Sequence, residues 1–213
     1  MRKTLYLKFV LAYIIFGVFG FIVVATFVSN MTTEHLKREK ADALYREATL
    51  IANTYASDLY NNATTLDVVK KQMDALDTYL SATIWIINPS GRMILDSSHE
   101  LNIENEVVVE NFDPTITAGS YYTVGTFFDT FESEMISVFA PITSEFRVKG
   151  YVVIHASMQD IQNSSNSLLN ISYITLCILF LLSLIILIFF TENYRGYGTI
   201  RRRKHALRIL RGK

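Results

Sequence analysis

The sequence predicts an α+β domain held between two membrane-crossing helices. Three observations carry this. Phe9–Val28 and Ile171–Phe190 are runs of twenty residues each without a charge. Acidic residues concentrate between them. Within that middle part the apolar period changes, from helical spacing before residue 82 to strand-like runs after it.

At about 1.5 Å rise per residue, each run makes a helix of roughly 30 Å, the thickness of a bilayer's hydrocarbon core. Residues 1–8 carry Arg2, Lys3 and Lys8 and no acid, and residues 191–213 carry eight Lys/Arg against Glu192. Residues 29–170 carry nine Lys/Arg and nineteen Asp/Glu, a net charge of −10. Basic residues flanking a span stay cytoplasmic. The expected order is a cytoplasmic segment 1–8, a first span 9–28, an extracytoplasmic domain 29–170, a second span 171–190 and a basic cytoplasmic tail 191–213. The first run exceeds the roughly 7–15-residue core of a signal peptide, and no clear Ala-x-Ala site follows, so an uncleaved anchor is expected over a cleaved leader. Cys177, the only cysteine, lies in the second run. The outer domain therefore rests on an apolar core rather than a disulfide, which fits a bacterial plasma membrane.

No Gly or Pro occurs between Gly20 and Pro89, so the first span is expected to run on as a helix. Thr33–Tyr60 keeps an apolar stripe of Leu36, Ala43, Leu44, Ala48, Ile51, Ala52, Tyr55 and Leu59, with Glu34, Arg38, Asp42 and Arg46 on another face. Asn61-Asn62 is a stop. Thr65 is placed to cap a second helix, Leu66–Leu80, that buries Leu66, Val69, Met73, Leu76 and Leu80.

Thr83–Asn88 is β-branched and aromatic, Pro89-Ser90-Gly91 is a turn, and Arg92–Asp96 pairs back as a hairpin. Residues 99–118 read as an irregular acidic loop. Tyr121–Phe128, Glu134–Ile142 and Gly150–Met158 are three further strands, giving a five-stranded, mostly antiparallel sheet. Asp160–Leu168 then leads into the second span, with the polar run Asn163–Asn166 a possible soft joint.

No catalytic constellation is present. His35, His99, His155 and His205 are scattered without metal spacing, and there is no phosphate-cradling Gly loop or nucleophile motif, so no cofactor is expected. Glu104-Asn105-Glu106 and Asp129, Glu132 and Glu134 read as solvated acidic surface before they read as a cation site. The spans hold no charge, which argues against a pump or ion pathway. Gly17 and Gly20 lack the GxxxG spacing, and Ser172, Thr175 and Ser183 can be satisfied within their own helix. Arg201-Arg202-Arg203-Lys204 suits anionic lipid rather than nucleic acid.

Three features resemble the extracytoplasmic PAS-like, or Cache, sensor domains of bacterial transmembrane receptors. One is the long helix leaving the first span. Another is the hairpin from Trp85 to Ser97, with Asn88-Pro89-Ser90-Gly91 and Asp96-Ser97. The last is Ala140-Pro141-Ile142 followed by Lys149-Gly150-Tyr151-Val152-Val153-Ile154. Within that class the layout is most similar to the input half of a sensor histidine kinase. The resemblance implies a small ligand above the sheet, lined by Trp85, Arg92, Tyr121 or Tyr122, Asp129 and His155. Arg92 would suit an organic-acid or amino-acid ligand. Tyr121 and Tyr122 are expected on opposite faces of one strand. Each residue also has a plainer reading as core or surface, and a lobe that reads force or a partner protein stands beside the ligand binder. The spans are expected to act as a homodimer, with Thr33–Tyr60 packing across a two-fold axis.

A kinase of this class continues into a HAMP linker that opens with Pro. Here 23 residues follow Phe190, none of them Pro, and His205-Ala206-Leu207-Arg208 does not resemble a phospho-acceptor box. The expectation is an input module without its output, from a truncated or frame-shifted gene or as a free-standing sensor subunit. Chemoreceptors and cyclic-dinucleotide enzymes carry the same kind of input, and a membrane-anchored binding protein with no inward signal is the alternative of a different class.

Overall fold

The computed structural model describes residues 2–100, 107–117 and 120–211, with side chains for residues 8, 10–100, 107–115 and 120–190. The chain forms two compact units, residues 30–166 and the remainder at both ends. The α+β class with two long apolar helices is what the structure has.

Helix α1 runs Arg2–Ile51, passes through a π-helical turn, Ala52–Ala56, and ends in the short α2, Ser57–Tyr60. The Thr54 hydroxyl donates to the Leu50 carbonyl at 2.6 Å beside this turn, a bond that competes with the helical ladder. Within residues 30–166, α1 buries Ala41, Leu44, Ala48 and Ile51, and the π turn buries Ala52 and Ala56. Leu36, Tyr55 and Leu59 pack beside them. The predicted stripe thus faces the lobe's own core. Positions such as Leu44 and Ile51 are filled within the single chain.

Asn62 ends the helical stretch at φ +56°, a left-handed conformation that Asn tolerates. Helix α3, Leu66–Leu80, follows an extended Thr65. The expected side-chain cap is not made: no Thr65 hydroxyl bond closes the helix, and Asp67 in the first turn is the acid that complements the dipole. Val69 and Met73 are its fully buried pair, with Leu66, Leu76 and Leu80 alongside.

The sheet comprises β1 (Thr83–Ile87), β2 (Met93–Asp96), β3 (Tyr122–Gly125), β4 (Met135–Ser144) and β5 (Arg147–Ser157), in the order β2-β1-β5-β4-β3 with every pair antiparallel. Alternation divides the strands between two faces. Ile84, Ile86, Ile136, Val138, Ala140, Ile142, Val152 and Ile154 join α1 and α3 in the main core. Trp85, Ile87, Phe139 and Val153 belong to a second cluster. Both faces of β1 and of the Val152–Ala156 part of β5 are covered, which is why these stretches are largely apolar.

Three strands differ from expectation by more than one residue at an end. β3 stops at Gly125 because the chain then turns through Phe127, Phe128 and Asp129, all left-handed at φ +46°, +52° and +57°. β4 and β5 extend two or three residues toward a tight turn at Glu145 and Phe146, also left-handed. The loop after β2 is not wholly irregular. Arg92 bridges Val108, the Met93 N–H donates to Val107, and the Val109 N–H donates to Gly91. A Cβ on Gly91 would meet the Val109 carbonyl at 2.8 Å, and its φ is +86°, so only glycine fits here. Glu104, Asn105 and Glu106 lie outside the described residues.

Helix α4 spans Met158–Arg211. The run Asn163–Asn166 is helical rather than a joint; Ser165 is buried and pairs with the Thr33 hydroxyl at 2.9 Å.

In the second unit the apolar parts of α1 and α4 pass the length and hydropathy required to cross a membrane. A Cβ on Gly17 would overlap the Phe180 ring, so this glycine is the notch that admits it. Tyr13 stacks on Phe180 with centroids 6.0 Å apart, and the Tyr13 hydroxyl pairs with Ser183. Ser183 is therefore satisfied across helices, unlike Ser172 and Thr175, whose hydroxyls donate to Leu168 and Ile171 of their own turn. The absence of GxxxG did not prevent close approach, because one glycine opposite one ring suffices. The side chains of the basic tail, including Arg201-Arg202-Arg203-Lys204 and His205, lie outside the description.

Candidate ligand site

The second cluster gathers chemistry that its strands place in register. β1, β5 and β4 align Trp85 with Val153 and Phe139, and two residues along they align Thr83 with His155 and Ser137. Alternation aims Trp85, His155 and Ser137 away from the helices. The segment 107–112 and the turn 126–131 close over them, contributing Val109, Phe112, Phe127, Phe128 and Phe131.

His155 is fully buried. Its Nδ1 lies 2.8 Å from the Ser137 hydroxyl, itself buried. Its ring sits 4.3 Å from Trp85, 4.4 Å from Phe127 and 4.9 Å from Phe131, centroid to centroid. Burial pushes the imidazole pKa down to about 3, so it is neutral at any physiological pH. Phe131 stacks on Trp85 at 5.1 Å with 14° between planes, and Phe127 meets Trp85 edge-on at 5.7 Å. Two polar atoms in this cage have no hydrogen-bond partner: Trp85 Nε1 and His155 Nε2. Leaving such atoms dry and unpaired costs roughly 1–3 kcal/mol each, and binding sites are where that cost is tolerated.

The turn over the cage is held by backbone bonds from Thr130 to Phe127 and from Phe131 to Thr126, and by the Thr126 hydroxyl donating to Asp129 at 3.0 Å. Three successive left-handed non-glycine residues store strain of the order of 1–3 kcal/mol each.

Of the residues expected from the resemblance, the structure brings together Trp85 and His155. Asp129 is exposed and fastens the turn instead of facing the rings. Arg92 is exposed at the sheet edge, bridged to Val108. Tyr121 lies on the helix side, where its ring packs tilted against Tyr45 at 5.0 Å and its hydroxyl donates to Asp42, an interaction that raises its pKa. Tyr122 packs against the same core. The two tyrosines do not oppose each other because β3 begins only at Tyr122. Asp129, Glu132 and Glu134 form no metal-holding group with other ligands among the described residues.

Sequence reasoning missed Ser137, Phe127 and Phe131. The density of phenylalanine over 127–131 was the available signal; the Ser137–His155 pairing needs the β4–β5 register. An open cleft of about 420 Å³ lies elsewhere in the lobe, between Leu36, Lys40, Ala43, Ala156 and Ile161. It is less site-like: Lys40 donates to the Leu80 carbonyl at 3.1 Å, and no orphaned buried polar atom points to a missing ligand there.

No protein-family model matches the chain, and no curated protein matches it in sequence. In structure it is similar to the sensor domain of the V. cholerae histidine kinase DctB, at 14% identity and TM-score 0.44, covering 63% of this chain and 56% of that one. It is similar to the sensory domain of the Campylobacter jejuni chemoreceptor Tlp3 with isoleucine bound, at 14% identity and TM-score 0.48, covering 70% and 64%. A third is the extracellular domain of vpHK1S-Z8, at 11% identity and TM-score 0.49, covering 70% and 62%. The chain spans about three-fifths of the length of these solved structures.

Proposed function

We propose that the chain is the input module of a bacterial transmembrane sensor, of the kind that feeds a two-component histidine kinase. Residues 30–166 lie outside the plasma membrane, both ends of the chain lie inside, and a small molecule or partner protein acts on the lobe. The charge asymmetry supports the orientation.

One observation supports an inward signal. β5, which holds His155 and Val153, ends at Ser157, and α4, which contains the apolar span, begins at Met158 with no connecting loop. Met158 is itself buried, and its N–H donates to Glu134 at 3.0 Å. A change in the aromatic cage therefore acts on a strand whose next residue is helix. Shifts of about 1–2 Å are the usual size of such transitions at helix interfaces. A tenfold change in output requires that the signal favour one arrangement by about 1.4 kcal/mol.

The sensor acts as a homodimer through the outward charged face of α1, where Arg38, Asp42 and Arg46 are exposed. The basic tail sits against anionic lipid. To test inward signalling, residues 1–192 are joined to the cytoplasmic half of a histidine kinase of known output. Inserting Gly-Pro between Asn163 and Ser164 should uncouple the reporter while the lobe stays folded. Unchanged output would mean that the lobe is an anchored binder only.

A further inference from the structure

Resting on the reading of this face as the input site, we infer that the Trp85–His155 floor binds a small, flat, uncharged aromatic molecule bearing one hydrogen-bonding group. Phe131 holds that place in the lobe as it stands.

The argument begins with the two orphaned atoms. Trp85 Nε1 can only donate, so it asks for an oxygen or nitrogen acceptor. His155 Nε2 donates or accepts according to which way the Ser137 hydroxyl points. A hydroxyl or amide group serves both atoms, because it offers lone pairs and a hydrogen together. Among the described residues neither atom has a partner, although both residues are more than nine-tenths buried.

The walls decide the rest. The buried members of the cluster are Trp85, Ile87, Val109, Phe127, Phe139 and Val153, none of them charged. Among the described residues of the cluster nothing would pair with the charge of an entering carboxylate or ammonium group, which a dry cavity penalises heavily. Arg92 and Asp129, the groups that would balance an amino acid, are exposed and outside the cluster. A flat ring, by contrast, has a template. Phe131 lies nearly parallel to Trp85 and touches His155. It is only partly buried, and it hangs from the turn that contains the three left-handed residues. Swinging that turn out releases strain at Phe127, Phe128 and Asp129, vacates the stacking position and exposes the two polar atoms to the incoming molecule.

The test uses the full chain in nanodiscs and the emission of Trp85, its only tryptophan. Phenol and benzyl alcohol should change that emission saturably, while benzoate and isoleucine should not. Phe131→Ala, or Phe131→Leu if the alanine variant unfolds, should raise phenol affinity at least tenfold. Trp85→Phe, followed by calorimetry, should lower it about tenfold. The inference is overturned if neither neutral probe saturates in the Phe131 variant, or if benzoate binds as tightly as benzyl alcohol. Saturation by isoleucine alone overturns it too, while leaving the sensor reading intact; failure of the chimeric reporter strikes at the sensor reading instead.

Discussion

Trp85 meets His155 edge-on with ring centroids 4.3 Å apart, and neither Trp85 Nε1 nor His155 Nε2 has a hydrogen-bond partner. A histidine in this setting resists protonation, since a charge there would be dry and unpaired. Its folded pKa, about 3, lies below the unfolded value near 6.5. The unfolded chain therefore binds the proton first as pH falls. The stability held by neutral His155 is present above about pH 6.5 and is lost toward pH 3, at about 1.4 kcal/mol per pH unit within that window. Denaturant unfolding of the lobe at pH 7 and pH 5 should show this loss. His155→Phe should flatten the difference; an equal pH dependence in the variant would contradict the assignment.

The helix-facing core gives a sharper contrast. Ile51 is fully buried, whereas its neighbour Leu50 is 52% exposed. Ile51→Ala should cost about 2–5 kcal/mol, and Leu50→Ala should stay within about 0.5 kcal/mol. Similar costs at the two positions would mean that α1 presents a different face to the sheet.

Gly91 sits where two constraints meet, a φ of +86° and a carbonyl 2.8 Å from any Cβ. Gly91→Ala should destabilise the lobe by about 1–3 kcal/mol and release residues 107–109 from the hairpin. Hydrogen exchange at the Met93 and Val109 amides reads that release directly; unchanged protection would refute it.

In the apolar unit, Tyr13 and Ser183 touch and Phe180 fills the notch at Gly17. With Cys177→Ser as background, Tyr13→Cys with Ser183→Cys should be joined by a short bifunctional maleimide, read as a compact band on denaturing gels. Adding Gly17→Leu should block it. A crosslink that survives Gly17→Leu would show that the notch is not needed.

Much of the architecture was legible because it follows from period and composition. The stripe through Leu44, Ala48 and Ile51, the bounds of α3 and the Trp85–Asp96 hairpin depend on local spacing alone. Other features depend on contacts far apart in the chain. Val107-Val108-Val109 is β-branched, yet its pairing with Gly91–Met93 requires the chain to return to that edge. Tyr121 left the expected face because β3 starts one residue later than its aromatic run suggests. Two of the five residues of the candidate site were readable, Trp85 and His155. Ser137, Phe127 and Phe131 were not, since strand register and a left-handed turn bring them to it.

The reading as a receptor rests on residues 30–166 lying across the membrane from both chain ends. In a Cys177→Ser background, Ser133→Cys on the exposed turn before β4 is offered a membrane-impermeant maleimide in intact spheroplasts. Full labelling before permeabilisation is the predicted result. Labelling only after the membrane is opened would place the lobe inside and contradict the account.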